Sequence, residues 1–414
     1  MILTIHRGTR EIGGTCVQLE AQGASILLDA GLPLADTHAE VDLASLRFSD
    51  VLISHPHLDH SGLIDQLDSS KTVHIGELSR RFMDATRLFL GKEKLANTFQ
   101  YFRAWERFDI GPFSIEPYLM DHSAVDAYGF LIEADGKRIF YSGDFRAHGR
   151  KGKVFERLVA NPPAGIDALL MEGTMMGREN AAFPDERAVE SAIYEALKTE
   201  SGPCFLIASS QNIDRMCAAY RACKRAGRIF VVDIYTAWVL RETSEFFDTT
   251  PNLGWKDVRV LSRGKTAARH YSRIKGKAGF EAFIKELYRE GNVVLVEEIK
   301  AAPHRYFIKN NYADFLIDTI GHPSASLVYS MWEGYLEERH NPGGFKQFQA
   351  LKQDPRIRFS EIHTSGHAVR EDLQRLATAL RPKMLIPIHT ERANEYIQYF
   401  NNVCVLADGE PLTI

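Results

Sequence analysis

Four apolar runs in this chain break off at a histidine or an aspartate. Val51, Leu52 and Ile53 lead into "SHPHLDHSG" (Ser54 to Gly62), "EPYLMDH" ends at His122, "RIFYSGD" at Asp144, and "MLIPIH" at His389. A short apolar run bounded by polar residues reads as a buried strand. Costly polar side chains at the mouths of several strands are therefore aimed by a rigid core. That pattern constrains the fold more than any other feature: it requires sheets whose ends gather these residues. Three imidazoles and a carboxylate within six positions, His55, His57, Asp59 and His60, are the nitrogen and oxygen ligands that Zn²⁺ takes. A histidine-rich surface turn would not need the strand in front of it.

Together with His122, Asp144 and His389 the set has seven members. It suits two metals, one held by three histidines and one by Asp plus two histidines, with Asp144 bridging. Paired metals can generate a hydroxide and stabilise both attacking and leaving oxygens. The five cysteines (Cys16, Cys204, Cys217, Cys223, Cys404) are scattered and form no C-x-x-C pair, which argues for reduced thiols in the cytosol and against a cysteine zinc site. A net charge of −4 provides no global basic field for nucleic acid, so a polyanion would need a local positive site. No run of 18 apolar residues appears, and no membrane partner is expected.

The rhythm of the chain changes once. Up to about residue 183 it reads mainly as strands, among them the hairpins "CVQLEAQGASILLDAG" and "YGFLIEADGKRIFYSGDFR", the latter turning at Asp135-Gly136. A short helix is expected after Ser61-Gly62. From Pro184, helices and strands alternate, as in a parallel-sheet α/β unit. "NVVLVEEI" reads there as a strand. The last stretch repeats the alternation with strands "RFSEIHTSGHA", "KMLIPIHT" and "VCVLAD" and the helix "ERANEYIQYF". The 414 residues thus divide into 1–183, 184–355 and 356–414.

With these residues in view, the chain resembles the metallo-β-lactamase fold, and within it the β-CASP nucleases such as ribonuclease J and the pre-mRNA 3′-end-processing endonuclease. "SHPHLDH" matches H-x-H-x-D-H. Asp29, His122 and Asp144 match further positions of the fold, and Glu172 in "LLMEGT", His367 in "HTSGHA" and His389 in "IPIHTE" match the three β-CASP positions. "TREIGGTCVQLE" resembles the opening of ribonuclease J-like proteins. The resemblance implies an α/β architecture, the metallo-β-lactamase αββα sandwich, with a β-CASP domain inserted at 184–355 and residues 356–414 returning to complete the metal site. The sequence stops at Ile414, short of the C-terminal extension typical of ribonuclease J, and the resemblance does not reach that enzyme's oligomerisation; a homodimer stays open.

The implied activity is a cytoplasmic, zinc-dependent ribonuclease acting on single-stranded RNA, with two Zn²⁺ per chain (Mn²⁺ as the alternative). His55, His57, Asp59, His60, His122, Asp144 and His389 would be the ligands, and Asp59 would also serve catalysis. His367 would contact the scissile phosphate and protonate the leaving oxygen, oriented by Glu172. Imidazole titrates near neutrality, as a general acid requires. RNA is favoured over DNA because RNA-processing members carry His at the position of His389. Asp29 is expected to orient a ligand by hydrogen bonding. Ser365 and Gly366 are candidate phosphate contacts, since a glycine lets backbone approach a phosphate. Ser209 and Ser210 in "SSQNIDR", between a strand and a helix, form a second such candidate, with helix capping as the alternative. Trp332 or Tyr335 could meet a base, though core packing is the better reading. His6, His38, His74, His148, His270, His304, His322, His340 and His363 receive no role from position alone. Two other readings stay open: hydrolysis of a small ester, thioester or lactone, which the fold alone permits, and a DNA nuclease of the same family. A non-catalytic RNA-binding scaffold would not need seven aimed ligands.

Overall fold

The computed structural model describes residues 1–34, 41–178, 180, 182–261, 271–277 and 279–414; His38 and His270 lie outside them. Two compact units result. Met1–Arg80, Leu95–Ala181 and Ser365–Ile414 form the first, Arg81–Lys94 and Ala182–Thr364 the second.

In the first unit, β1 (Ile2–Arg7), β2 (Cys16–Ala21), β3 (Ala24–Leu28), β4 (Asp50–Leu52), β5 (Thr72–Gly76) and β6 (Thr98–Phe102) lie side by side in one sheet. β7 (Phe108–Ile110), β8 (Phe113–Met120), β9 (Ala127–Ala134), β10 (Lys137–Tyr141) and β11 (Ala168–Glu172) build a second. The β9–β10 hairpin turns at Asp135 and Gly136 with φ of 52° and 69°; this pair of positive values matches the right-handed twist of the strands. The period of two along each strand explains the layering. Phe130, Ile132, Ile139 and Leu170 point into a core shared with Leu3, Ile5, Val17 and Leu19 of the first sheet. The intervening Leu131, Phe140, Leu169 and Met171 face the other way. There they meet Phe155 of the helix Gly152–Ala160 and Leu373 and Leu376 of the helix Arg370–Leu380. Two sheets face to face with helices outside are the expected sandwich.

The second unit holds one sheet, with every pairing parallel, of β12 (Cys204–Ile207), β13 (Ile229–Asp233), β14 (Val258–Leu261), β15 (Val293–Val294), β16 (Tyr306–Lys309), β17 (Ala325–Tyr329) and β18 (Ile357–Glu361). Its order is β15-β14-β13-β16-β12-β17-β18. The central strands are covered on both faces and are largely apolar. Phe205, Ile207 and Val231 pack on one side, and Leu206, Phe230 and Val232 on the other.

Two strands close the first unit. β19 (Met384–Ile388) pairs in parallel with β11, and β20 (Pro411–Thr413) pairs antiparallel with β1.

Several local expectations are corrected. Ile357–Glu361, placed by sequence with the returning segment, pairs with β17 and belongs to the second unit, which moves the boundary from 356 to 365. Only Val293–Val294 of "NVVLVEEI" is strand; Glu298 then accepts from the Leu295 amide at 2.9 Å and starts the helix Val296–Ala301. "VCVLAD" forms a single bridge at Val403, and Ala393–Gln398 is a 3₁₀ helix. The helix expected after Gly62 begins earlier, at Leu58, so Asp59 and His60 lie on it. β20 was not legible in the sequence. No helix among the described residues is long and apolar enough to cross a membrane.

Candidate metal centre

The seven predicted ligands all lie in the first unit and converge in two groups. His55, His57 and His122 form one; Asp59, His60, Asp144 and His389 form the other. In the first, Nε2 of His55 lies 3.1 Å from Nδ1 of His57, which lies 3.3 Å from Nε2 of His122. Ligand atoms around a tetrahedral Zn²⁺ at 2.0–2.1 Å stand roughly 3.3 Å apart. In the second group, Nε2 of His389 is 3.2 Å from Oδ2 of Asp59, and Nε2 of His60 is 3.1 Å from Oδ2 of Asp144. That same Asp144 oxygen lies 3.7 Å from Nε2 of His55, so Asp144 of the second group also faces the first.

Each of four imidazoles has one nitrogen held by the protein and the other turned inward. Nδ1 of His122 donates to the Gly366 carbonyl at 2.6 Å, and Nδ1 of His60 meets Asp29 Oδ2 at 2.7 Å. Nδ1 of His389 meets Thr174 Oγ1 at 2.8 Å, and Nδ1 of His55 meets Ser54 Oγ at 3.0 Å. Clamping one nitrogen fixes the tautomer that leaves the other's lone pair for a cation. The inward atoms mostly face one another. Both Asp144 oxygens and Nε2 of His60 are buried with no hydrogen-bond partner among the described residues. Buried polar atoms are normally satisfied, so this donor set fits metal ions.

Electrostatics agree. Burial holds His55, His57 and His122 below the usual imidazole range, in the neutral form that binds metal. Burial also opposes the charge of Asp144, but His389, His60 and His367 outweigh it and keep the carboxyl well below its ordinary range. Burial opposes the charge of His60, but Asp144, Asp29 and Asp59 raise it well above its ordinary value. A dication would take the place of that proton.

Backbone geometry aims two of these residues. Asp29 and His389 follow β3 and β19 directly and carry φ of 59° and 54°, a left-handed conformation uncommon outside glycine. The turn points Asp29 back over the strand ends, where it accepts from the Ser54 amide (2.7 Å), the Ser54 hydroxyl (2.8 Å) and the Tyr141 hydroxyl (2.6 Å). Gly31 lets the chain pass under the ligand loop: a Cβ there would come within 1.8 Å of the Asp59 carbonyl.

His367 joins the edge of this cluster. Its Nδ1 lies 3.3 Å from Glu172 Oε1 and 3.7 Å from Asp144 Oδ2, and its side chain is 21% exposed, so solvent reaches it. Burial lowers its proton affinity, but Glu172 and Asp144 raise its pKa to about 9. Glu172 is immobilised by the amides of Thr174 (3.0 Å), Phe145 (3.2 Å) and Ala368 (3.4 Å).

The loop Ser365–His367 is itself anchored by residues that sequence reasoning missed. The guanidinium of Arg146, wholly buried beside Asp121, donates to the Ser365 carbonyl at 2.9 Å. His148 meets that carbonyl at 3.0 Å, and Asn180 accepts from the Ser365 amide at 3.3 Å. Ser365 Oγ accepts from the His367 amide at 3.1 Å. The polar groups of Ser365 are thus used in holding its own loop. Gly366 is needed for packing: a Cβ would meet Ser123 Oγ at 2.9 Å and His122 Cε1 at 3.3 Å. The one sequence signal for Arg146 was its place two residues after Asp144.

Ser209 and Ser210 lie in the second unit. Ser210 is buried, where it accepts from Lys309 Nζ (2.6 Å) and bonds Thr236 Oγ1 (2.8 Å); the following helix is capped by Asn212. Trp332 and Tyr335 are half-buried and pack on one another, ring centroids 5.4 Å apart.

Residues 9–173 match the profile of the Metallo-beta-lactamase superfamily, and residues 355–402 that of the Zn-dependent metallo-hydrolase RNA specificity domain. The chain is 23% identical over 360 residues to ribonuclease J of Sinorhizobium meliloti, a match covering 83% of this chain and 58% of that protein. To an RNase J-like protein of Methanocaldococcus jannaschii it is 24% identical over 416 residues, covering 95% and 93%. The crystal structure of a protein of unknown function from Enterococcus faecalis V583 superposes with a TM-score of 0.77 at 19% identity, covering 100% of this chain and 99% of the other; it shares the fold.

Proposed function

We propose, for a chain whose residues 9–173 match the Metallo-beta-lactamase superfamily, that it is a zinc-dependent ribonuclease hydrolysing phosphodiester bonds in single-stranded RNA. The observation that carries the reading is the buried Asp144 carboxylate, whose two unsatisfied oxygens stand between two groups of clamped imidazoles. His55, His57 and His122 would hold one metal, Asp59, His60 and His389 the other, and Asp144 both. Two zinc ions there would supply an activated water and neutralise charge on the phosphate.

The chain's own residues do the rest. Asp29, Thr174, Ser54 and the Gly366 carbonyl fix the rotation of four imidazoles before any ion arrives. Glu172 orients His367 through Nδ1, leaving Nε2 to give a proton to the departing 3′-oxygen. The pKa of about 9 keeps that proton on the ring at neutral pH. The RNA specificity segment at 355–402 contains both His367 and His389, which supports RNA over DNA.

Zinc-loaded protein should contain two zinc ions per chain and cleave labelled RNA, leaving single-stranded DNA and a chromogenic lactam untouched. One metal or none in active protein would sink the dinuclear site; lactam turnover with inert RNA would favour the small-substrate hydrolase. Circular RNA, beside 5′-phosphate and 5′-hydroxyl linear RNA, separates internal cleavage from 5′-end attack.

A further inference from the structure

The second unit carries a cavity of about 480 Å³ between the helix Ile213–Arg225 and the segment 249–257 that leads into β14. Helical spacing stacks Lys224 one turn above Tyr220 and makes Arg221 a neighbour of Lys224; all three line the cavity. Tyr220 is buried at the floor and packs against the half-buried Trp255, with ring centroids 4.9 Å apart. The Lys224 ammonium stands 5.8 Å from the Tyr220 ring centre. Arg221, Lys224 and Lys256 are exposed at the mouth, and none makes an ion pair among the described residues. Asp257 is the one carboxylate in the lining, and its carbonyl accepts from the Phe230 amide at 2.8 Å, which fixes this wall where β13 and β14 begin. Open parallel sheets usually hold ligands at the opposite, carboxyl edge. This cavity is a separate feature.

A merely solvated basic face needs neither a cavity nor a half-buried indole. In a chain of net charge −4, three unpaired cations around aromatic rings mark a place for an anion that carries a flat ring. We propose that this cavity binds a ribonucleoside phosphate. The base lies against Trp255, the phosphate among Arg221, Lys224 and Lys256, and the ribose hydroxyls donate to Asp257. Aromatic and cationic groups together are how proteins hold unpaired nucleotides, and ligand pockets begin near ~300 Å³. The nucleotide has two sources, a free mononucleotide or a unit within an RNA strand. Binding here does not depend on the hydrolytic reading above.

Calorimetric titration of the zinc-loaded full chain with adenosine 5′-monophosphate, its 2′-deoxy counterpart, inorganic phosphate and a phosphorothioate-linked hexaadenylate tests the site. Trp255→Ala and Lys224→Ala should each weaken adenosine monophosphate binding roughly tenfold, the scale of one lost base stack. Lys256→Ala alters an exposed side chain and should weaken it too, with an unchanged melting temperature. The ribo-over-deoxy preference should vanish in Asp257→Asn. If the hexamer weakens in parallel in these variants, the occupant is a strand; if only the mononucleotide does, it is a free nucleotide. Adenosine monophosphate binding that is absent, insensitive to all four substitutions, or matched by inorganic phosphate would overturn the proposal.

Discussion

Each unit buries a cluster of charged side chains, and the two clusters are finished differently. In the second unit, Lys309 donates to Asp233 Oδ2 (3.1 Å) and to Ser210 (2.6 Å), while the Thr236 amide and hydroxyl occupy Asp233 Oδ1 at 2.7 and 2.8 Å. Every acceptor atom of that carboxylate has a partner. In the first unit, the equally buried Asp144 has no hydrogen bond to either oxygen, only imidazole nitrogens at 3.1 to 3.7 Å. Burial alone therefore does not distinguish a structural charge from a functional one; hydrogen-bond accounting does. A closed network rigidifies the sheet edge it occupies. An open one is complementary to something that arrives later.

The sharpest way to break this contrast is to alter the open carboxylate. Asp144→Asn should bring RNA cleavage to background and lower the zinc content, because an amide cannot bridge two cations. An active variant with two zinc ions would remove the distinction. Next in size, His367→Ala should slow hydrolysis by roughly 10²–10⁴-fold, the range for a lost general acid, while both metals stay. A 3′-bridging phosphorothiolate substrate should recover much of that loss, whereas His389→Ala should shed metal and show no full rescue. Metal loss in His367→Ala, or a thiolate substrate that rescues nothing, would reassign that histidine.

In the closed network the same kind of substitution should act on stability instead. Lys309→Met leaves Asp233 buried without its cation, a change that costs about 3–5 kcal/mol, with zinc content unchanged. The pH dependence has a definite sign. Burial raises the Asp233 carboxyl, but Lys309 and Thr236 hold it below its usual range, so its contribution is present above an unfolded pKa of about 3.9 and lost as pH falls through the lower folded value. Without Lys309 the burial effect wins and the folded pKa rises. The variant's deficit in melting temperature should then be largest near pH 7 and shrink as pH falls towards 4. A deficit that grows on acidification would contradict the pairing. The smallest effect concerns Ser209→Ala with Ser210→Ala. If these hydroxyls contact a terminal phosphate, the preference for 5′-monophosphate over 5′-hydroxyl RNA falls; if Ser210 only completes the closed network, stability drops by ~1 kcal/mol per hydrogen bond and the preference stands.

Sequence reading reached the candidate ligands, which the fold brings together, because strands announce themselves by apolar runs and these residues follow directly. It found Glu172 and His367 by resemblance, since nothing local marks them. The holders of the ligands were harder to see. Thr174, Tyr141 and Arg146 reach the centre from 112 to 219 residues away from their partners, and no spacing rule spans such separations. The left-handed turns at Asp29 and His389 were hidden too, because glycine is the usual signal for that conformation. The reading of "VCVLAD" as a strand failed because alternation alone does not supply a neighbour to pair with.

The closing of the first unit by β19 also has a consequence in time. A ribosome makes Thr174 well before His389, 215 residues further on. At about 5–20 residues per second, that gap lasts on the order of 10–40 s. For most of it the nascent chain has neither His367 nor His389, and β11, buried along its whole length in the finished unit, waits with one edge unpaired. Such an edge is a template for wrong partners. Newly made chains therefore lack the complete candidate centre while they are most exposed to aggregation, and both conditions end when Met384–Ile388 slides in beside β11.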